Sequence, residues 1–463
     1  MNPARPPDSI SRRAFVRGGA ATVLTAASYA RTPGANDRVG VGVIGYGLIG
    51  KRHVLDFRDQ PDTNLVAVAE VHRGRLDEAR ALIGGSVEGY VDFRRLLDRR
   101  DVDAVVISTP DHWHALMTML ACAAGKDVYV EKPLTLFVRE GRWMIDVARR
   151  HHRVVQVGTQ QRSGPHYRRA RDLIRGGRLG PITSVRMQAF RNIMPGYGSP
   201  ADRDPPPELD WEMFIGPAPY HRYNPNRAIY HFRWFWDYSG GQMTNLGAHA
   251  LDIVDWYLGA RGPLSVASMG GRYSLRDNGE TPDTQDALLE YPGWTAVWSH
   301  REASRGRPNL YSLEFFGPKG SLAISRRGFL VTADAEVPPA NTVPQFTGAH
   351  PVGGPVAVQQ SGPPRYRTEA IQDDSGDSRA QLTQHVRDFL DCVKSRRQPG
   401  ADLESAHRAA TACHLANIAL RVGRRIRWDA DREEIVNDAE AARMLVRPYR
   451  APWNADLKAL GVS

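Results

Sequence analysis

The sequence predicts an α/β protein with two sheets, a doubly wound parallel sheet followed by an open, mostly antiparallel one. Strand and helix patterns alternate from Val39 to Gly158, as in a parallel sheet covered by helices. From Pro181 the strands lengthen and follow one another in hairpin order, which is typical of an antiparallel sheet with one free face. We therefore expect a first domain over residues 37–160 and a second over residues 161–463.

The first 36 residues predict an export signal. The segment Ser11-Arg12-Arg13-Ala14-Phe15 precedes an uncharged, mildly hydrophobic run, and together they resemble a twin-arginine signal. Ser28-Tyr29-Ala30 offers a small–x–small cleavage site, and the run is too short for a permanent membrane span. A disordered basic tail is the alternative. We expect a periplasmic or secreted protein that uses the twin-arginine export machinery, with no stable membrane insertion and its folded part beginning near Asn36.

Charge and cysteine usage argue against nucleic acid or metal as partners. The leader contributes +4 of the formal net charge of +10, and no basic stripe is interleaved with aromatic residues. The three cysteines, Cys122, Cys392 and Cys413, lie in apolar helical contexts, and no spacing indicates a metal site. They predict buried thiols, with a Cys392–Cys413 disulfide as the alternative in an oxidising compartment.

A glycine-rich turn after the first predicted strand, Val39 to Ile44, indicates a dinucleotide site. The turn reads Gly45-Tyr46-Gly47-Leu48-Ile49-Gly50 and opens a helix. Gly45 permits the tight turn, Gly47 lets the backbone approach a pyrophosphate at the helix N-terminus, and Gly50 lets the helix pack on the strand. The alternative is a purely structural turn between strand and helix.

An acidic residue at the end of the second strand favours NAD. Glu70 follows Gly50 by twenty positions, and a carboxylate there can accept hydrogen bonds from both ribose hydroxyls. The same carboxylate repels the 2′-phosphate of NADP. Arg73 and Arg75 nevertheless keep NADP open as an alternative cofactor.

Two further segments follow predicted strands at the edge where doubly wound sheets bind ligands. Thr109-Pro110 with His114 follows the strand that ends at Ile107, and Glu131-Lys132-Pro133 follows the strand that ends at Val130. Lys132 can reach a nicotinamide ribose and a substrate hydroxyl, and partial burial would lower its pKa toward that of a general base. A surface turn lysine is the alternative. His114 either caps the next helix or contacts the cofactor.

The segment from Ser239 to Asp252 carries the second candidate site. Asn245 and His249 are four residues apart and would share a helical face. A histidine there can take a proton from an alcohol while hydride leaves its carbon. The alternative is a structural histidine in a buried helix.

Four residues are candidates for substrate binding. Gln161 and Arg162 follow the sixth parallel strand at the predicted crevice between the domains. Arg162 could bind a polyol or form an interdomain salt bridge. In the run Arg233-Trp-Phe-Trp-Asp-Tyr238, Trp236 could support a sugar ring while Asp237 binds its hydroxyls. The alternative places the aromatic residues of this run in the core.

The rest of the C-terminal half has a weaker pattern. The predicted strands are Pro181–Phe190, Leu264–Leu275, Gln285–Tyr291, Trp294–Arg301, Leu310–Phe316 and Ser321–Ser325. A helix is predicted from Gly247 to Leu258, and residues 335–378 are expected to form a long irregular loop. Amphipathic helices over Ser378–Arg396 and Leu403–Val422 precede a tail that we expect to pack as an arm.

These motifs together resemble the Gfo/Idh/MocA (glucose-fructose oxidoreductase / inositol dehydrogenase) family. The resemblance implies a Rossmann domain followed by an α/β domain with an open antiparallel sheet, which commonly mediates assembly into dimers or tetramers. It also implies oxidation or reduction of sugars and cyclitols with NAD or NADP, with Lys132 and His249 as the catalytic pair. Many members carry an aspartate where this chain has Asn245, and an asparagine cannot serve as a base.

The predicted export has a consequence for the cofactor. A periplasm supplies no free NAD, so the cofactor would be loaded before export and regenerated in place. We therefore expect a sugar, glycoside or cyclitol oxidoreductase that retains its nucleotide. The alternatives are a redox-neutral, NAD-dependent enzyme that cleaves glycosides and a non-catalytic nucleotide- or sugar-binding protein.

Overall fold

The computed structural model describes residues 38–306, 312–336 and 365–462. Both predicted sheets are present in these residues, and the predicted fold class is confirmed. The export signal predicted over residues 1–36 lies outside the described residues, as does most of the loop predicted over residues 335–378. The described end of that range contains a short strand, Ile371–Asp373, so the prediction of irregular chain was wrong there.

The first sheet has six parallel strands in the order β3-β2-β1-β4-β5-β6. The strands are β1 (Val39–Ile44), β2 (Thr63–Ala69), β3 (Glu88–Tyr90), β4 (Ala104–Ile107), β5 (Asp127–Val130) and β6 (Val155–Val157). Its central strands are buried on both faces, which explains their uninterrupted apolar sequences. The order reverses between β1 and β4, and a crevice for a ligand opens at such a point.

Helices cover both faces of this sheet. They are α1 (Leu48–Arg58), α2 (Arg73–Ile83), α3 (Phe93–Leu97), α4 (Asp111–Ala123) and α5 (Val138–Arg150). Val105 and Ile107 of β4 point into one core cluster, and Ala104 and Val106 point into the other. Each helix therefore buries an apolar side against the sheet, which fixes the loops at the carboxyl ends of the strands.

The second sheet has ten strands in the order β14-β13-β12-β11-β7-β10-β9-β8-β15-β16. The strands are β7 (Ser184–Phe190), β8 (Ser265–Gly271), β9 (Thr284–Tyr291), β10 (Trp294–Arg301), β11 (Leu313–Gly317), β12 (Gly320–Ser325), β13 (Gly328–Ala333), β14 (Ile371–Asp373), β15 (Ile426–Asp429) and β16 (Glu434–Ile435). Among the strands of the described residues, β7 and β10 pair in parallel and the other neighbours are antiparallel. Strands β13 to β16 were not predicted.

The helices of the C-terminal half divide between the two sheets. They are α6 (Pro165–Arg175), α7 (Trp211–Ile215), α8 (Gly241–Asn245), α9 (Gly247–Leu258), α10 (Ser378–Ser395), α11 (Leu403–Val422), α12 (Ala439–Arg443) and α13 (Trp453–Ala459). Helices α9 and α11 pack beneath the second sheet. Phe389 of α10 and Trp453 of α13 return to the cores of the first sheet, so the predicted C-terminal arm does pack on the N-terminal half.

Residues 195–236, which we call the strap, leave the second sheet and cross to the first. The backbone N–H of Arg73 donates to the Glu208 carbonyl at 2.8 Å, and that of Asp210 donates to the Val71 carbonyl at 3.0 Å. Further along, the Trp113 indole donates to the Phe214 carbonyl at 3.0 Å. The strap has a core cluster of its own. It therefore lies across the first sheet directly beside the residues that follow β2.

The three cysteines are buried free thiols, which excludes the Cys392–Cys413 disulfide. Within residues 38–306, 312–336 and 365–462, no helix is long and apolar enough to cross a membrane.

Candidate active site

A cavity of about 350 Å³ lies between the two sheets. Its walls come from the glycine-rich turn, the carboxyl ends of β2, β4 and β5, the strap, the start of α9, and the turn between β12 and β13. The cavity therefore joins the predicted nucleotide site to the predicted catalytic residues in one continuous space.

The glycine turn has the geometry that a bound pyrophosphate needs. Gly45 adopts a φ of +90°, and a Cβ there would lie 2.9 Å from the backbone of Ser108. A Cβ on Gly50 would overlap the Gly45 carbonyl oxygen, whereas one on Gly47 would meet only a side-chain end at 3.9 Å. Gly47 thus presents bare backbone to the cavity, and the first-turn N–H groups of Leu48 and Ile49 have no acceptor within their helix.

Glu70 lies in the same cavity with its carboxylate held in place. Oε2 accepts a hydrogen bond from the Tyr46 backbone N–H at 2.7 Å, and Oε1 accepts one from the His72 N–H at 3.0 Å. Both oxygens keep lone pairs for ribose hydroxyls. The Tyr46 side chain is buried, so this residue contributes through its backbone. The residues present therefore fit an NAD molecule, and Arg75 also lines this end of the cavity.

Lys132 lies at the carboxyl end of β5 and reaches across to the second domain. Its Nζ donates to the backbone carbonyl of Asn245 at 3.0 Å and to Oδ1 of the same residue at 3.1 Å. Burial of the ammonium group lowers the pKa of Lys132 to about 8; Glu131 opposes this shift, while Arg233 and Arg326 add to it. About a tenth of Lys132 is thus neutral at pH 7 and about half at pH 8, and the neutral form can accept a proton.

Glu131 lines the cavity and also holds the Lys132 backbone in place. Its Oε1 lies 2.8 Å from Nε2 of His53, and its Oε2 accepts the Lys132 backbone N–H at 3.1 Å. Burial alone would raise the pKa of Glu131, but the hydrogen bond from His53 and the charge of Lys132 outweigh it and hold the pKa below its usual value. A Cβ on Gly158 would lie 2.5 Å from Oε1, so the carboxylate fills the space that this glycine leaves.

His249 lies in the first turn of α9, on the other side of the cavity. Burial, with the charges of Lys132 and Arg326, lowers the pKa of His249 well below its usual value, so the ring is neutral. Its Nε2 lies 3.4 Å from Nη2 of Arg326, and its buried Nδ1 has no hydrogen-bond partner among the described residues. Asn245 ends α8, and Leu246 separates it from α9, so Asn245 and His249 lie on two consecutive helices and not on one helical face as predicted.

Two predicted cofactor or substrate contacts lie outside the cavity. His114 is buried, with Nδ1 2.7 Å from the Pro133 carbonyl and Nε2 2.9 Å from the Thr109 carbonyl. It ties two strand-end loops together and does not line the cavity, whereas Thr109 and Pro110 do. Gln161 is also buried, and its neighbour Gln160 lines the cavity instead, because a 3₁₀ turn redirects this segment.

The structure favours the salt-bridge alternative for Arg162. Its Nε and Nη2 donate to the two carboxylate oxygens of Asp252 at 2.9 and 2.8 Å, and its Nη1 donates to the Gly400 carbonyl and to Ser405 Oγ. The guanidinium is 5% exposed and does not face the cavity. Arg162 therefore joins the sixth parallel strand to α9 and α11.

Trp236 and Asp237 do not line the cavity either, so the structure gives no support to their predicted role in sugar binding. Asp237 pairs with His221 at 2.7 Å and with Arg447 at 2.8 Å, and the guanidinium of Arg421 lies over the Trp236 ring. The 3₁₀ turn His231–Trp234 reverses the chain before them.

Several residues that line the cavity were not predicted from the sequence. Those of the second domain are Leu209, Met213, Phe214, Ile229, Tyr230, Phe232, Arg233, Leu246 and Arg326. Arg233 begins the same aromatic run as Trp236, and Phe232 directly precedes it, but the sequence alone does not show which part of this segment faces the cavity. Arg326 directly follows a predicted strand, and that position was its one available signal. No group of three or more His, Cys, Asp or Glu that could hold a metal forms within the described ranges.

An α/β fold whose cavity joins a glycine-rich phosphate turn to a low-pKa lysine defines the class of nucleotide-dependent oxidoreductases. The family description "Oxidoreductase family, NAD-binding Rossmann fold" matches residues 39–159, and its companion "C-terminal alpha/beta domain" matches residues 189–268 and 373–455. Together they span more than half of the chain. The protein belongs to the Gfo/Idh/MocA oxidoreductase family and has an NAD-binding domain.

Individual relatives are distant. A scyllo-inositol 2-dehydrogenase (NAD(+)) from Bacillus subtilis is 26% identical over 295 residues, which cover 62% of this chain and 74% of that protein. An inositol 2-dehydrogenase from Klebsiella pneumoniae is 32% identical over 164 residues, covering 35% of this chain and 48% of that relative. Levoglucosan dehydrogenase, solved with NADH and levoglucosan, aligns with a TM-score of 0.63 at 18% identity over 84% of this chain and 99% of its own, which supports the fold.

Proposed function

We propose that this protein oxidises or reduces a CH–OH group of a sugar, glycoside or cyclitol with NAD. One observation carries the proposal: Lys132 Nζ, held by Asn245, lies in a cavity with neutral His249 and with the turn and carboxylate that fit NAD. The similarity to inositol dehydrogenases supports the substrate class.

The roles of the residues follow from their charge states. NAD, when bound, supplies the acceptor for hydride from the substrate carbon. Neutral Lys132 takes the proton of the reacting hydroxyl, and His249, which lines the same cavity, hydrogen-bonds a substrate hydroxyl. Asn245 carries no titratable group, so it orients Nζ and leaves proton removal to Lys132.

We further propose that the nucleotide stays bound between turnovers. The strap is hydrogen bonded to Val71 and Arg73, directly after Glu70, and its residues Leu209, Met213 and Phe214 line the cavity. A nucleotide whose ribose lay against Glu70 would be enclosed by this segment. Enclosure suits a protein that is exported with its cofactor, as its leader sequence predicts.

A retained cofactor also favours a second candidate, a redox-neutral enzyme that cleaves glycosides. Transient oxidation of a ring carbon acidifies the neighbouring C–H, which allows the glycosidic group to be eliminated; addition of water and return of the hydride then complete a hydrolysis. Such an enzyme would release the aglycone with no net change in bound NADH. The dehydrogenase would instead need a second sugar as hydride acceptor.

We also propose that the protein acts as a homo-oligomer. The face of the ten-stranded sheet that points away from α9 and α11 carries Met269 and Leu288 with 79% and 49% of their surfaces exposed. Apolar side chains on an open sheet face are typical of an assembly surface. Sedimentation analysis of wild type and Leu288→Glu would test this: a monomeric wild type contradicts it.

The catalytic proposal is tested on full-length protein purified by its own export route. Denaturation and mass spectrometry should release about one NAD or NADH per chain. Lys132→Met should retain the nucleotide but lose its reduction by a panel of sugars and cyclitols, while the matched control Lys458→Met, an exposed lysine of α13, behaves as wild type. An empty protein that fails to bind added NAD, or full turnover in Lys132→Met, would contradict the proposal.

A further inference from the structure

Two arginines face the proposed reaction centre from the second domain. Arg233 belongs to the 3₁₀ turn of the strap, and Arg326 belongs to the turn between β12 and β13. Both line the cavity together with Lys132 and His249. We call Arg233 and Arg326 the arginine pair.

Neither arginine has an acidic partner in the described part of the chain. The Arg326 guanidinium lies 3.4 Å from the neutral ring of His249. Arg233 donates to the Tyr230 carbonyl at 2.9 Å and lies over the Tyr230 and Phe232 rings at 4.9 and 4.6 Å. The internal segments 307–311 and 337–364 contain no Asp or Glu that could pair with them.

The carboxylates at this end of the cavity already have donors. Asp111 Oδ2 accepts a hydrogen bond from Ser239 Oγ at 2.5 Å, and Glu131 is held by His53 and by a backbone N–H. The arginine pair therefore offers unpaired guanidinium groups where a substrate would lie, and Arg326 is exposed enough to meet a ligand arriving from solvent.

The cofactor does not account for this charge at Arg326. The pyrophosphate site lies at the glycine turn and the N-terminus of α1, whereas Arg326 adjoins His249 at the catalytic end. The proximity of both arginines to Lys132 appears in its pKa, which each of them lowers after the larger effect of burial. The positive charge of Arg326 thus lies at the catalytic end of the cavity and not at the glycine turn.

We propose that the substrate carries an anionic group, a carboxylate or a phosphate ester, which the arginine pair holds beside the reacting hydroxyl. This inference rests on the proposed function and narrows its substrate class to acidic sugars or cyclitols. Guanidinium forks match carboxylate and phosphate oxygens in two parallel hydrogen bonds, which also fixes the orientation of the substrate.

The test is a binding and single-turnover experiment on full-length, NADH- or NAD-loaded protein. The probes are matched pairs of acidic and neutral compounds: glucuronate with glucose, galacturonate with galactose, gluconate with glucitol, and glucose 6-phosphate with glucose. Affinity is measured by calorimetry on the NADH-loaded form, and turnover by nicotinamide fluorescence on the NAD-loaded form. We expect at least one acidic compound to bind about 10- to 100-fold more tightly than its neutral partner.

Variants assign this preference to the arginine pair. Arg326→Gln should remove the preference and Arg326→Lys should keep part of it, whereas Arg327→Gln, a matched charge loss on the same turn but outside the cavity, should leave it unchanged. Arg233→Gln should weaken acidic ligands while NADH affinity stays within about threefold of wild type.

The outcomes separate this inference from the proposed function. Preference for glucose 6-phosphate identifies a phosphate ester as the anionic group, and preference for a uronate or gluconate identifies a carboxylate. Neutral compounds that bind and react as well as acidic ones, or a preference that survives Arg326→Gln, would overturn the inference and leave the dehydrogenase standing. If no acidic probe binds, the inference of an anionic substrate group is also overturned. If the wild-type protein does not bind NADH, the proposed function itself is refuted.

Discussion

The lowered pKa of Lys132 can be tested without knowing the substrate. The experiment varies the pH and follows the protonation of this lysine. Burial lowers the pKa of Lys132 from 10.5 to about 8. At pH 8 about half of the Lys132 side chains would be neutral, against roughly 0.3% for an ordinary lysine, so the reactive form is about 150-fold more abundant. The sign is fixed by desolvation, which disfavours the charged amine.

The assay is trace acetylation of the folded, full-length protein between pH 6 and 11, with each lysine followed by mass spectrometry. Only the neutral amine reacts, so the midpoint of the labelling curve reports the pKa. Lys458 is exposed on α13 and serves as the internal reference. We expect the Lys132 curve to reach its midpoint near pH 8. A curve that coincides with that of Lys458 would refute the reasoning and remove Lys132 as a base at neutral pH.

Variants then identify the sources of the shift. Arg326→Gln should raise the midpoint for Lys132, because it removes a positive charge that disfavours the ammonium form. Glu131→Gln should lower it, because the carboxylate stabilises the ammonium form. Arg327→Gln, which lies outside the cavity, should leave the midpoint unchanged.

Three further predictions follow from packing and charge. Gly47→Ala should leave the melting temperature unchanged and weaken NAD binding about tenfold in calorimetry, whereas Gly50→Ala should destabilise the fold by about 2 kcal/mol or more in urea unfolding, since its Cβ overlaps the backbone. Asp252→Asn should cost about 3–5 kcal/mol in the same assay, because it leaves Arg162 buried and unpaired. Burial raises the pKa of Glu140 to about 7, so the native state binds more protons than the unfolded state between about pH 4.5 and 7. The free energy of unfolding should therefore fall by up to about 3 kcal/mol as pH rises through this window, and Glu140→Gln should flatten that dependence.

The first sheet could be predicted closely from the sequence. Strand β1 has the predicted bounds, and β4 and β5 end at the predicted residues, because these buried parallel strands are largely apolar runs followed by a Gly, Ser or Glu. Helix α9 also begins and ends as predicted, at Gly247 and Leu258, where the glycine that follows adopts a left-handed conformation.

The second sheet was predicted less completely because its outer strands depend on distant partners. β14 has three residues and pairs with β13, and β16 has two residues and pairs with β15. Such short segments carry little periodic signal of their own, and they become strands only because a neighbouring edge supplies hydrogen-bond partners.

The same distinction applies to the candidate site. Gly47, Glu70 and Lys132 could be predicted because each follows a strand that is recognisable from its own local sequence. The carboxyl ends of parallel strands lie at one edge of the sheet, so these residues were expected close together. Arg162 was ambiguous because its partner Asp252 is 90 positions away. Arg326 could not be assigned, because its approach to His249 depends on how the second sheet packs against α9.

An acidic substrate would explain why both positive and negative side chains surround Lys132. An anion beside Lys132 in a buried site would stabilise its ammonium form and return its pKa toward that of an ordinary lysine, which leaves no base at neutral pH. Arg233 and Arg326 offset that effect, because their positive charges neutralise the anion where it binds. Glu131 acts in the opposite direction and keeps the pKa from falling further in the absence of substrate. On this argument the arginine pair both selects an acidic substrate and keeps Lys132 able to accept its proton.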